Sequence, residues 1–216
     1  MSEETESVVA GLRGTELIAA LERADAQGTE LGGLDVNELV STIDPRALGK
    51  DDFRRLLSVL VRAGERAPQL DLSEVQPQHF ATLVARASKA QLDAVVAERA
   101  LRARLLDEVF DRMRTHLRRD RARNVHAVVH WRISGGTGEG GYDRYETEIL
   151  DGDCRVGRAM REKPRVTITV GSAEFFKLIT HQTTPAVLFV TGKIKVKGDL
   201  AFAAGLIGFF DLPSPA

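Results

Sequence analysis

Asn124 to Ile133 reads NVHAVVHWRI. Val125, Ala127, Val129, Trp131 and Ile133 alternate with polar positions, the period of a strand with one face buried. Before this stretch the apolar period is close to 3.6, the period of a helix. The change at Asn124 therefore divides the chain into a helical half and a half that contains strands.

Downstream, SGGTGEGG (Ser134 to Gly141) is a flexible turn. It lacks the Lys-Ser/Thr pair and the helix start of a phosphate loop. GYDRYETEIL sets Tyr145, Thr147 and Ile149 on one face, and Asp151-Gly152 signals a tight hairpin returning into DCRVGRAM. PRVTITV alternates Val166, Ile168 and Val170. GKIKVKGDL turns Ile194 and Val196 inward against Lys193, Lys195 and Lys197. Five strands result, mostly antiparallel because the turns are short. A helix over SAEFFKLIT, capped by Ser172, follows the fourth strand, and Pro185 opens AVLFV.

Upstream, Thr15 is placed to cap a helix running to Gln27, with Gly28 as its stop. Asp35 with Glu38, and Ser88 with Gln91, have capping-box spacing. Asp51 to Ala63 carries Phe53, Leu56, Leu57, Leu60 and Val61 as one apolar stripe. Glu98 to Leu117 reads as a longer helix, with Leu106, Phe110, Met113 and Leu117 along one side. The expected class is α+β: an all-helical domain over 15–97 after a flexible tail at 1–14, then a five-stranded, mostly antiparallel sheet covered by helices over 98–216.

The chain has 216 residues, 43% hydrophobic and 28% charged, with a formal charge of −1. This composition excludes wholesale disorder, and the even charge argues against a nucleic-acid partner. A lone cysteine, Cys154, makes neither an internal disulfide nor a cysteine zinc site and fits a reducing compartment. MSEETES has no basic or apolar leader pattern, so the expected location is cytoplasmic. The longest apolar run, Leu200 to Phe210, is too short to span a bilayer.

No catalytic set assembles. His126 and His130 on a strand stand about 13 Å apart, too far to share a metal. Cys154 has no histidine placed to activate it, and no G-x-S-x-G elbow is present. Glu146, Glu148, Asp151 and Asp153 cluster in a hairpin and read as a solvated edge. No catalytic residue, metal or cofactor is expected. The arginines at 112, 114, 118, 119, 121 and 123 suit a solvated helix end; alternatively they meet anionic lipid headgroups. The apolar segments from Phe175 to Phe210 offer more surface than one sheet face needs. They are either doubly buried core or the lining of a cavity for an apolar ligand.

GKIKVKGDLAFAAGL (Gly192 to Leu206) closely resembles the late strand-and-helix signature of the sterol carrier protein-2, or nonspecific lipid-transfer, family. LLDEVFDRM, YETEILDGDCRVG, PRVTITV and SAEFFKLIT, followed by Pro185, stand in that family's order, so the resemblance runs from Leu101 to Leu212. It implies a five-stranded sheet covered by helices around a hydrophobic tunnel. It further implies non-catalytic binding and carriage of sterol, fatty acid, acyl-CoA or phospholipid. The matched apolar positions are Phe176, Ile179, Phe189, Leu200, Ala203, Leu206 and Phe210. Trp131, on the inner strand face, joins them as a candidate lipid contact. Two departures stand out: His181-Gln182 replaces a Gly-Lys pair common in the family, and the Ser214-Pro215-Ala216 end is not a peroxisomal tripeptide.

The resemblance implies a lipid ligand. Transient contact with an anionic membrane, and a protein partner docked on the helical half, are the other partners expected. The alternative is an accessory or dimerisation module for a lipid-metabolising enzyme, with the helical half as docking surface. An enzyme whose site lies unrecognised in that half is a third, weaker reading, because the half has no His/Cys/carboxylate cluster.

Overall fold

The computed structural model describes residues 11–28 and 34–215. Most of the expected tail, residues 1–10, lies outside the described residues. Two compact units divide between Leu105 and Leu106.

The first unit is helical: α1 (Gly14–Gln27), α2 (Val36–Ser41), α3 (Lys50–Gly64), α4 (Pro77–Arg86), α5 (Lys89–Ala97) and the start of α6 (Arg99–Thr115). α3 packs on both α1 and α5. Its buried stripe is Phe53, Leu56, Val59, Leu60 and Ala63, while Leu57 and Val61 of the expected stripe are only half-buried. Ser88 and Gln91 form a reciprocal capping box at the start of α5. Asp35 caps α2 by accepting from the N–H groups of Asn37 and Glu38. α1 starts earlier than expected: Arg13, not Thr15, is its cap residue, and Gly28 ends it in the left-handed region. Arg55–Glu22 and Arg62–Asp25 ion pairs link α3 to α1 across the surface. Such exposed pairs each contribute little.

The second unit holds the rest of α6, a short α7 (Arg119–Ala122) and the sheet. Its strands are β1 (His126–Ser134), β2 (Tyr142–Leu150), β3 (Asp153–Gly157), β4 (Val166–Gly171) and β5 (Ile194–Gly198). Among the described residues no strand precedes His126. The spatial order is β3-β2-β1-β4-β5. β1–β2, β2–β3 and β4–β5 are antiparallel, while β1 and β4 are parallel. Between β4 and β5 lie α8 (Ser172–Ile179) and α9 (Pro185–Val190); α10 (Leu200–Gly205) follows β5. Ser172 is not the cap of α8. Gly171 is, and the Ser172 hydroxyl instead donates to the Ser134 carbonyl at 3.2 Å, pinning the helix start to β1.

Asp151 (φ 51°) and Gly152 (φ 84°) form the expected two-residue hairpin turn. Gly198 has φ 109°, and a Cβ there would lie 2.4 Å from the Arg165 carbonyl oxygen. Only glycine allows β5 to end so close to β4. His181 adopts φ 57°, a region that favours glycine, at the position where the resemblance expects glycine.

The Leu200–Phe210 run is not one helix. After α10 it tightens into a 3₁₀ turn, Leu206–Phe209. Arg118 N–H then donates to the Phe209 carbonyl and Asp211 N–H to that of His116, strapping the segment to residues 116–118. No described helix is long and apolar enough to cross a membrane.

Candidate functional site

The inner face of the sheet carries Trp131 and Ile133 on β1, Tyr145 and Thr147 on β2, Ile168 on β4, and Ile194 and Val196 on β5. Two different things cover it.

Over β1 and β2 the space is filled. Phe110 of α6 stacks on Tyr145 with centroids 3.9 Å apart and on Phe175 of α8 at 5.2 Å; it meets the edge of Trp131 at 5.8 Å. Trp131 also meets Phe175 at 5.6 Å, and its indole N–H donates to Thr147 Oγ1 at 3.1 Å. The Tyr145 hydroxyl donates to Asp107 Oδ1 at 2.7 Å and accepts from Arg158 at 2.6 Å. Burial, then the neighbouring Asp107 carboxylate, hold that hydroxyl well above the ordinary phenol range. It is a structural latch.

Over β4 and β5 the space is open. A cavity of about 360 Å³ lies between these strands and α9 with the start of α10. Its floor is Ile168, Ile194 and Val196; its walls are Thr184, Pro185, Ala186, Phe189, Leu200, Ala203 and Ala204. Thr184 supplies the one hydroxyl in the lining, and its oxygen caps α9 by accepting from the Val187 N–H. Proline at the first helical position needs no N–H partner. No charged side chain lines the cavity. The rim is exposed and apolar: Phe189 is 49% exposed and Leu200 52%.

Of the residues chosen from the sequence, Phe189, Leu200 and Ala203 line this cavity. Trp131, Phe176, Ile179, Leu206 and Phe210 are buried and lie outside its lining. Ile168, Ile194, Val196 and Thr184 were missed as site residues. The alternation of β4 and β5 did mark the first three as inward, and that signal would have found them. α8 contributes no lining; its Phe175 fills the aromatic stack instead.

The outer face corrects one expectation. Glu146 is not part of a solvated edge: it is 8% exposed, and the segment after β3 folds over it. It accepts from the N–H groups of Arg161 (2.8 Å) and Glu162 (3.1 Å) and lies 3.1 Å from His130 Nε2. Burial raises its pKa; the two backbone N–H groups and His130 outweigh that, leaving it below the ordinary value of 4.5. A carboxylate with a lowered folded pKa stabilises above its unfolded pKa, and that contribution is lost as pH falls through the folded value. Melting temperatures measured down a pH series should therefore fall more steeply below about pH 4.5 in the parent than in Glu146→Gln. Parallel curves would contradict the role given to Glu146.

Burial pushes the Cys154 thiol up to about 12, which leaves it a packing residue rather than a nucleophile. Among the described residues no group of three or more His, Cys, Asp or Glu side chains could hold a metal ion. In the arginine segment, Arg112 pairs with Glu108, Arg119 lies 3.6 Å from Asp153, and Arg121 donates to the Gly208 carbonyl.

Residues 106–211 match the model of the SCP-2 sterol transfer family. This half of the chain is an SCP-2 domain. As such it is a lipid-binding or lipid-transfer fold. Hydroxysteroid dehydrogenase-like protein 2 of Xenopus tropicalis is 25% identical over 136 residues, 62% of this chain and 30% of that protein. The chain thus spans under a third of that relative. Sterol carrier protein 2 from Yarrowia lipolytica, in its apo form, is 22% identical over 47% of this chain and 86% of its own, with a TM-score of 0.38. The sec-alkylsulfatase Pisa1 from Pseudomonas sp. is 13% identical, covering 100% of this chain and 32% of its own, with a TM-score of 0.46.

Proposed function

We propose that the SCP-2 domain binds a lipid in the cavity beneath α9 and carries it without catalysis. The observation that supports this is an unfilled apolar space of about 360 Å³ in a domain whose other inner face is tightly packed. That volume falls within the range of ligand pockets. Phe189, Leu200 and Ala203 are the proposed lipid contacts, with Trp131, Phe176, Ile179, Leu206 and Phe210 supporting them from the surrounding core.

Transient contact with an anionic membrane belongs to the same proposal. Val187, Phe189, Val190 and Leu200 form most of the exposed large apolar surface among the described residues, and Lys193, Lys195 and Lys197 follow α9 directly. Apolar side chains at the cavity mouth suit shallow insertion into such a surface, while the three lysines alternate with Ile194 and Val196 and so take the opposite face of β5. The arginine segment is a weaker candidate, because several of its side chains already have partners within the domain. The reducing chemistry implied by one free thiol supports a cytoplasmic location.

A second reading makes the domain an accessory or dimerisation module of a lipid-metabolising enzyme, with the helical unit as docking surface for a protein partner. The 30% coverage of the curated relative favours it, since a larger protein can hold a domain like this one as a part.

Titration of the full chain with a fluorescent fatty acid tests the first reading. Saturable one-to-one binding is expected. Absence of saturable binding would overturn carriage and leave the module reading standing.

A further inference from the structure

A polar cavity of about 330 Å³ lies at the β3 edge of the sheet, away from the apolar one. Glu146 and Glu148 of β2 and Arg155 of β3 line it, together with the segment after β3 that carries Arg158, Arg161 and Glu162. Gly157 pairs with Glu146 across the strands. A Cβ added at Gly157 would meet nothing within 4 Å, so the space beside the carboxylate is open. The Glu146 side chain is only 10% exposed. Its three partners, the N–H groups of Arg161 and Glu162 and His130 Nε2, all meet Oε2. Among the described residues no hydrogen bond ends on Oε1, and that oxygen is not sealed in the core. The bonds to Oε2 keep the carboxylate ionised, in line with its lowered pKa. A fixed anion therefore presents a free acceptor to the cavity.

A carboxylate oxygen only accepts, so what fills this position must donate. Glu148 lies on the same strand face two residues on, about 7 Å along β2, and Arg155 holds it only loosely, at 3.7 Å. The described residues offer no set of three ligands for a metal ion here. A primary ammonium, with three N–H donors and a positive charge, suits the pair of carboxylates. The cations of the lining are not equivalent. Arg158 is committed to Asp107 and the Tyr145 hydroxyl. Arg155 and Arg161 are exposed, and the Arg161 guanidinium makes no ion pair among the described residues. These two can fold onto an acid group that sits beside the ammonium.

We infer that this cavity binds a small, water-soluble zwitterion, its primary ammonium donating to Glu146 Oε1 and Glu148 and its acid group lying against Arg161 and Arg155. Aminophospholipid headgroups carry the same chemistry. The cavity, however, lies at the β3 end of the sheet, whereas the apolar rim at Phe189 and Leu200 lies at the β4–β5 end. A membrane that meets the rim does not reach Glu146, so the free solute is the source.

The test is nuclear magnetic resonance titration of the ¹⁵N-labelled full chain with O-phosphoethanolamine and, separately, β-alanine. The amide signals of Arg161 and Glu162, which donate to Glu146, should shift saturably with at least one of them. O-phosphocholine, whose quaternary nitrogen has no N–H to give, should bind at least about tenfold more weakly than O-phosphoethanolamine, the usual scale for a charged hydrogen bond. Glu146→Gln should lose binding by a similar factor. So should Gly157→Val, which occupies the open space while keeping every bond to Glu146. Arg161→Gln retains its backbone N–H; it should weaken O-phosphoethanolamine several-fold and leave ethanolamine unaffected. No saturable shift with either zwitterion, equal binding of O-phosphocholine, or unimpaired binding in a folded Gly157→Val would overturn the site. Glu146-dependent retention on phosphatidylethanolamine vesicles, without binding of the free compounds, would overturn the soluble source. None of these outcomes touches the apolar cavity.

Discussion

Phe110→Ala is expected to cost the SCP-2 domain about 3–5 kcal/mol, the usual loss when a fully buried phenylalanine is truncated. Phe110 is 1% exposed and is the hub of the aromatic stack, in ring contact with Tyr145, Trp131 and Phe175 at once. Ring pairs of this kind add to simple area burial, and the three neighbours are locked by their own partners, so the void cannot collapse around the alanine. Trp131 is the only tryptophan in the chain. Urea unfolding followed by its fluorescence therefore reports on this domain alone. The midpoint should drop sharply with little change in slope. A loss below about 1 kcal/mol would contradict the close packing of this stack.

Ala203→Trp should abolish fatty-acid binding while leaving the melting temperature almost unchanged. Ala203 lies on α10 and lines the cavity opposite β5. An indole placed there enters the space proposed for the ligand rather than packed protein. In a filled core, the same substitution would overpack, costing roughly 1–3 kcal/mol with a clear fall in melting temperature. Circular dichroism melts and a fluorescent fatty-acid titration separate the two outcomes. Unimpaired binding would place the ligand elsewhere.

Much of the architecture was legible because alternation is a local signal. Trp131, Tyr145 and Ile168 each sit on the face their strand's period assigns. The parallel pairing of β1 with β4 was not legible, since alternation states which face a residue takes and not which strand lies beside it. Helix starts slipped at Thr15 and Ser172 because a hydroxyl in the first turn looks the same in sequence whether it caps or not; Ser172 bonds across to Ser134 instead. Glu146 read as exposed because its burial comes from residues 158–162 folding over it, a tertiary event with no periodic trace.

The cavity was half legible. The apolar excess between Phe175 and Phe210 left packed core and cavity lining both open, and these segments contribute to each. Which part fills the core and which bounds a space depends on side-chain volume: Phe175 closes the β1–β2 side, whereas Ala186, Ala203 and Ala204 leave the β4–β5 side open. Phe189, Leu200 and Ala203 were found through the family resemblance, and Ile194 and Val196 could have been found by reading their strand's inner face as lining.

Native mass spectrometry of the purified full chain, before and after solvent extraction and again after adding dodecanoate, tests lipid carriage most directly. A protein that holds one lipid should show an added mass that extraction removes and dodecanoate restores as a single-ligand adduct. An unchanged mass through all three stages, with no adduct on adding dodecanoate, would contradict a lipid-carrying role for the cavity.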